Sequence, residues 1–205
     1  AIGMMNTADQ SVPDCLKLEV STRSLSRLAG THIAGPTAYS GTFTGDASRW
    51  ELKGEASLLN ASIASYQATR ITGPLNISAR DGKYGINGDI RIVGGRSEGI
   101  IGALLGATPR IQLAATRNTD GALLLDRIDA RGKALTLTGS GGRNLLGGLN
   151  FRGDARITDV AAIRPGARGS FGGPITASSA RTGAPWRLGF DGRGRGVGVT
   201  AQASF

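Results

Sequence analysis

Apolar and polar residues alternate along most of this chain. Leu16, Leu18 and Val20 alternate with Lys17 and Glu19. Trp50, Leu52, Gly54, Ala56 and Leu58 alternate with Glu51, Lys53, Glu55 and Ser57. The pattern recurs through Leu75, Ile77 and Ala79, through Tyr84, Ile86, Gly88, Ile90 and Ile92, and through Ile111, Leu113 and Ala115. It returns at Leu135, Leu137 and Gly139, at Leu149, Phe151, Gly153, Ala155 and Ile157, at Trp186, Leu188 and Phe190, and from Val197 to Phe205. Successive strand side chains point to opposite faces, so each run predicts a strand with one apolar face. The runs are about 7–9 residues long, or roughly 23–30 Å.

Turn chemistry separates the runs. Gly35-Pro36, Gly73-Pro74, Asp81-Gly82, Asn87-Gly88, Asp120-Gly121, Gly141-Gly142 and Gly172-Gly173-Pro174 are read as turns, since Gly, Asn and Asp tolerate positive φ. The result is an all-β chain of consecutive antiparallel strands. Helical periodicity is scarce and is clearest at Ser97–Gly106, with Ser97 as N-cap, Ile100, Ile101, Leu104 and Leu105 as one face and Gly106 as stop. Shorter candidates lie at Ser24–Ala29 and Asp159–Arg164. The division is then an irregular lead-in over 1–15, a β-segment over 16–94, a helical insertion over 95–109, and a second β-segment over 110–205 that continues the same sheet.

Composition narrows the class. Among 205 residues there are 33 glycines and ten aromatics, and many apolar-face positions are Gly or Ala, including Gly54, Ala56, Gly88, Gly153 and Ala155. A small closed barrel needs bulky filling; small residues suit a curved sheet or a face that contacts something else. No apolar run is long enough to cross a bilayer as a helix. The chain opens Ala1-Ile2-Gly3, which reads as a piece of a longer protein whose anchor lies outside it.

Little in the sequence is catalytic. Cys15 and His32 are the single Cys and His, too few for a disulfide or a metal cluster. No Gly-Lys-Ser/Thr phosphate loop occurs. Gly192-Arg193-Gly194-Arg195-Gly196 is read as a tight hairpin turn with exposed arginines. Asp126 with Asp129, and Asp154 with Asp159, lie among arginines and are read as solvated faces or ion pairs. Formal net charge is +9, yet the arginines are scattered without interleaved aromatics, so nucleic acid is not an expected partner. The expectation is a protein that is not an enzyme, with no cofactor and no metal.

Three stretches together carry a family resemblance. They are Ser97–Pro109 with the strand Leu123–Gly132, then Leu135–Gly141 with Leu149–Ile157, and Asp159–Gly169 with Gly172-Gly173. This cadence of strand, Gly, short helical step, Pro, spaced glycines and strand resembles the TamB proteins of the AsmA-like superfamily. The resemblance runs from about Leu16 to Phe205 and rests on glycine spacing rather than on a catalytic signature. It implies a U-shaped apolar trough (the β-taco). It also implies a periplasmic location, tethered to the inner membrane by an anchor outside this chain, and an outer-membrane barrel partner of the TamA/BamA type. The implied role is passive movement of phospholipid between membranes, in support of outer-membrane homeostasis and assembly.

The physical logic stands beside the resemblance. A buried methylene contributes about 0.8 kcal/mol, so an apolar groove holds phospholipid acyl chains without a covalent step. Apolar parity selects the lining as Trp50, Leu52, Leu58, Leu75, Ile77, Ile86, Ile90, Ile92, Ile111, Leu113, Leu135, Leu137, Leu149, Phe151, Ile157, Leu188 and Phe190. Packing against a second layer would give the same pattern. The helix carrying Ile100, Ile101, Leu104 and Leu105 would cap the groove or interrupt the sheet. Two other readings use the same face: a chaperone-like scaffold for outer-membrane strands, and a structural β-domain of a secreted or surface protein. A solenoid repeat of about 20–30 residues, which the latter would need, is not evident.

Overall fold

The computed structural model describes residues 12–23, 33–63, 66–196 and 200–204. The strands are β1 (Val12–Thr22), β2 (Ile33–Ala34), β3 (Thr37–Gly45), β4 (Arg49–Ile63), β5 (Tyr66–Arg80), β6 (Lys83–Val93), β7 (Arg110–Arg117) and β8 (Leu123–Arg131). They continue as β9 (Leu135–Arg143), β10 (Leu149–Ile157), β11 (Ser170–Ser178), β12 (Arg187–Arg195) and β13 (Thr200–Ser204). One helix, α1 (Gly99–Leu105), lies between β6 and β7, and a 3-10 turn (Val160–Ala162) lies between β10 and β11.

All thirteen strands form one antiparallel sheet in chain order, with β2 set beside β4 in line with β3. Each strand packs on its immediate neighbours. The first and last strands do not meet, so the sheet is open rather than a barrel. It is curled, with its apolar face concave. Strands two apart are about 9.6 Å from each other, yet the rings of Trp50 on β4 and Tyr84 on β6 lie 6.3 Å apart. The Tyr39 hydroxyl on β3 likewise reaches over β4 to donate to the Leu75 carbonyl on β5, at 3.2 Å.

Turns at 46–48, 81–82, 118–122, 144–148 and 179–186 line one rim of the trough. Asp81-Gly82 is a two-residue hairpin with positive φ at both positions (50° and 76°). That twist matches the right-handed twist of the flanking strands. The opposite rim carries α1 and the 3-10 turn. The amides of Lys133 and Ala134, between β8 and β9, donate to the carbonyls of Leu105 and Leu104. Beside this rim lies the small core of Leu58, Ala61, Ala68 and Ile92, with Tyr66, Ile71, Ile90 and Ile111 packed on it.

Several sequence expectations are corrected. Gly73-Pro74, Asn87-Gly88, Gly141-Gly142 and Gly172-Gly173-Pro174 are mid-strand, not turns. At both Gly-Pro steps the ladder to the next strand is interrupted, between Thr72↔Arg91 and Leu75↔Gly88, and between Gly172↔Arg193 and Ile175↔Phe190. Proline has no N–H to give there, and the glycine lies against the carbonyl of Asp89 or Asp191. Arg193 and Arg195 extend β12 instead of forming a hairpin turn. The first strand begins at Val12, inside the expected lead-in. β4 and β5 reach 15 residues, well beyond the runs read from sequence. The cap of α1 is Glu98, without a side-chain bond, and the Ser97 hydroxyl meets the Glu98 carbonyl instead. Asp159 does cap the 3-10 turn, accepting from the Ala161 amide at 2.9 Å. The helical candidate Ser24–Ala29, His32 and the alternating residues Val197, Val199 and Phe205 lie outside the described residues.

Candidate groove

Strand register turns the alternating pattern into continuous rows across the sheet. The middle row of the concave face runs Leu18, Gly41, Gly54, Leu75, Gly88, Leu113, Ile128, Gly139, Gly153, Ile175, Phe190. On one side lie Val20, Tyr39, Ala56, Gly73, Ile90, Ile111, Ala130, Leu137, Ala155, Gly173 and Gly192. On the other lie Leu16, Phe43, Leu52, Ile77, Ile86, Ala115, Leu125, Gly141, Phe151, Ala177 and Leu188. None of the three rows contains a charged residue, over a span of roughly 50 Å at the usual strand spacing.

All seventeen residues selected by parity fall on this face. Trp50, Leu58, Ile92, Leu135, Leu149 and Ile157 flank the three rows toward the rims, and the other eleven lie within them. The selected lining left out Leu16, Leu18 and Val20, although their alternation is plain in the sequence. Parity overlooked Tyr39, Phe43, Leu125, Ile128, Phe171 and Ile175, several of which sit in runs broken by a bulge or by glycine. The face is largely uncovered. Ile86, Leu149 and Leu188 are exposed, and buried apolar residues among those described are few and mostly alanine. In α1, Leu104 and Leu105 are half-buried and their carbonyls fix the helix to the β8–β9 turn. Ile100 and Ile101 are exposed on the rim rather than packed into the groove.

Small residues do not simply leave the groove empty. Aromatic rings lie across glycines of neighbouring strands, covering backbone that would otherwise face water. A methyl at Gly54 would stand 2.8 Å from the Tyr39 hydroxyl, and one at Gly139 only 2.5 Å from the Phe151 ring. Phe171 and Phe190, with ring centroids 4.9 Å apart, cover Gly192. Tyr66 covers Gly95 and donates to the Gly106 carbonyl at 2.9 Å. Burial pushes the Tyr39 and Tyr66 hydroxyls above their usual pKa. Gly88 is different: its nearest neighbours are Leu75 and Ile90 side chains at ordinary contact distance, so open floor remains there.

The polar face carries order that sequence reading missed. Glu19, Glu55, Asp89, Asp129, Asp154 and Asp191 occupy one transverse row, on every second strand of the path. Arg91, Arg110, Arg131, Arg156 and Arg193 form the row on one side, and Lys17, Lys53, Arg127 and Arg152 the row on the other. The scattered charges thus belong to a five-residue theme, clearest in Lys53-Gly54-Glu55-Ala56-Ser57, Arg127-Ile128-Asp129-Ala130-Arg131 and Arg152-Gly153-Asp154-Ala155-Arg156. Its irregular spacing, which follows hairpin length, hid it from a fixed-period search.

Arg110 binds Asp89 through two nitrogens, and Gln112 adds a bond of 2.9 Å. These bonds, Arg110 first, hold the Asp89 carboxyl far below the usual carboxylate range. Arg131 pairs with Asp129 at 3.1 Å, with Arg127 nearby. Asp126 is the extra residue of the β7–β8 bulge and accepts from Thr116. Cys15 is exposed on β1. Among the described residues no group of His, Cys, Asp and Glu converges as a metal site. No helix among them is long and apolar enough to cross a membrane. No protein-family model, curated protein or solved structure matches the chain.

Proposed function

We propose that this chain is a segment of a lipid-transfer conduit, which carries phospholipid acyl chains along the concave face. The observation that carries this reading is the set of three adjacent rows, free of charge from β1 to β12, on a face over which no second layer packs among the described residues. A structural sheet of this width would bury such a surface, since each Å² left in water forgoes about 25 cal/mol. Acyl chains lie along the rows and headgroups stay at the open, wet mouth between the rims. Movement is passive diffusion, because successive strands offer equivalent apolar floor. In the wider setting that the TamB resemblance implies, the segment belongs to a periplasm-spanning protein held at the inner membrane and joined to an outer-membrane barrel of the TamA/BamA type.

The test is photo-crosslinking in cells, with a reactive residue at Ile86 on the concave face and at Asn87 on the convex one. Phospholipid adducts at Ile86 alone are expected. Equal labelling at both, or none at either, defeats the conduit. A chaperone role has one specific point in its favour: among the described residues β1 and β13 each leave one edge unpaired, which an extended peptide can join by strand addition. It would give peptide adducts at an edge-strand position such as Leu18 on β1, and no lipid at Ile86.

A further inference from the structure

One rim bears apolar residues where a turn normally carries polar ones. The β9–β10 connection is a tight turn in which the Gly147 amide donates to the Asn144 carbonyl at 3.0 Å. Leu145 and Leu146 therefore hold its two central, most projecting positions. They are 66% and 73% exposed. Their place is fixed and not a consequence of a loose loop. The Asn144 side chain accepts from the Gly148 amide at 2.8 Å and donates to the Ala180 carbonyl, and the Thr182 amide donates to the Leu146 carbonyl. The neighbouring β11–β12 connection adds Trp186, 53% exposed. Arg143, Arg181 and Arg187 stand beside these tips, exposed, and no carboxylate pairs with them among the described residues.

We infer that this rim docks on the surface of an anionic lipid bilayer. The tips are convex, so they suit insertion into a deformable apolar layer better than they suit a rigid pocket. Leu145 and Leu146 reach the acyl boundary, Trp186 sits at the interface where an amphipathic ring is favoured, and the arginines meet headgroup phosphates. Charge complementarity selects anionic lipid over neutral. The opposite rim also exposes Ile100 and Ile101, and serves as an internal control. The inference does not depend on the groove carrying lipid.

The experiment is co-sedimentation of the purified chain with vesicles of equimolar phosphatidylcholine and phosphatidylglycerol, and with phosphatidylcholine alone. Binding to the anionic vesicles is expected, weaker on neutral ones and weakened by salt. The double variant Leu145→Ser, Leu146→Ser should bind at least about tenfold less, whereas Ile100→Ser with Ile101→Ser should bind as the parent does. Serine is well tolerated in turns, so the fold survives the first change. Trp50→Phe leaves Trp186 as the sole tryptophan, and its emission should shift to the blue on vesicles. Absence of parent binding, or full binding by the leucine variant, overturns the inference. So does self-association of the chain that the leucine variant abolishes, which would assign the rim to a second copy.

Discussion

At the scale of single residues, glycine means two different things on the concave face. At Gly139 the space above the backbone is occupied by Phe151, and the Arg152 carbonyl is 2.6 Å from where a methyl would go. At Gly88 the nearest atoms are 3.6 Å away or more. Both lie in the same row with extended backbone, so the contrast isolates packing. Gly139→Ala should destabilise by about 1–3 kcal/mol through overpacking. Gly88→Ala should be neutral or stabilise by up to about 1 kcal/mol, by restricting the unfolded chain. Urea unfolding of the two variants checks this, and similar losses at both would contradict it. Parity along the sequence placed Leu137, Phe151 and Ile86 on one face. It could not tell a covered glycine from an open one, because the ring that covers Gly139 belongs to another strand.

At the scale of elements, the β6–β7 pair is held by more than its ladder. Asp89 receives Arg110 and Gln112 from the neighbouring strand. Its carboxyl is held below the unfolded value of about 3.9, so the ionised form is favoured by folding. That contribution is complete above about pH 4 and is lost as pH falls below it. The pair is solvent-facing and the effect is modest. Acid titration in urea near the midpoint should therefore show a shallower loss of folded protein for Asp89→Asn than for the parent; superimposable curves would remove the pair from the acid response. Element boundaries were the less legible part. Asp81-Gly82 behaves as its composition says, whereas Gly73-Pro74 and Gly173-Pro174 carry the same signal inside strands. A local signal cannot distinguish a reversal from a break in one ladder when the partner strand continues on the other side.

At the scale of the whole molecule, contacts run mainly between neighbouring strands, with a few side chains such as Tyr39 and Trp50 reaching over one strand, which makes stability close to a sum of local terms. Gly139→Val should abolish hydrogen-exchange protection in β9 and β10 while leaving β4 and β5 protected. Loss spread evenly along the chain would indicate a cooperative unit instead. The open sheet with one apolar face was legible because period two survives even where side chains are small. The charge rows were not, since Glu55 and Asp89 become neighbours in a row only once register is known. That theme has a consequence for size. Acidic strands alternate with uncharged or differently charged ones, and all acidic strands run in the same direction. A chain built this way lengthens or shortens without disturbing either face only by whole hairpins, so its reach is a ruler graduated in steps of about 9.6 Å. An odd strand gained or lost would reverse the direction of every later strand and put the next acidic residue out of line.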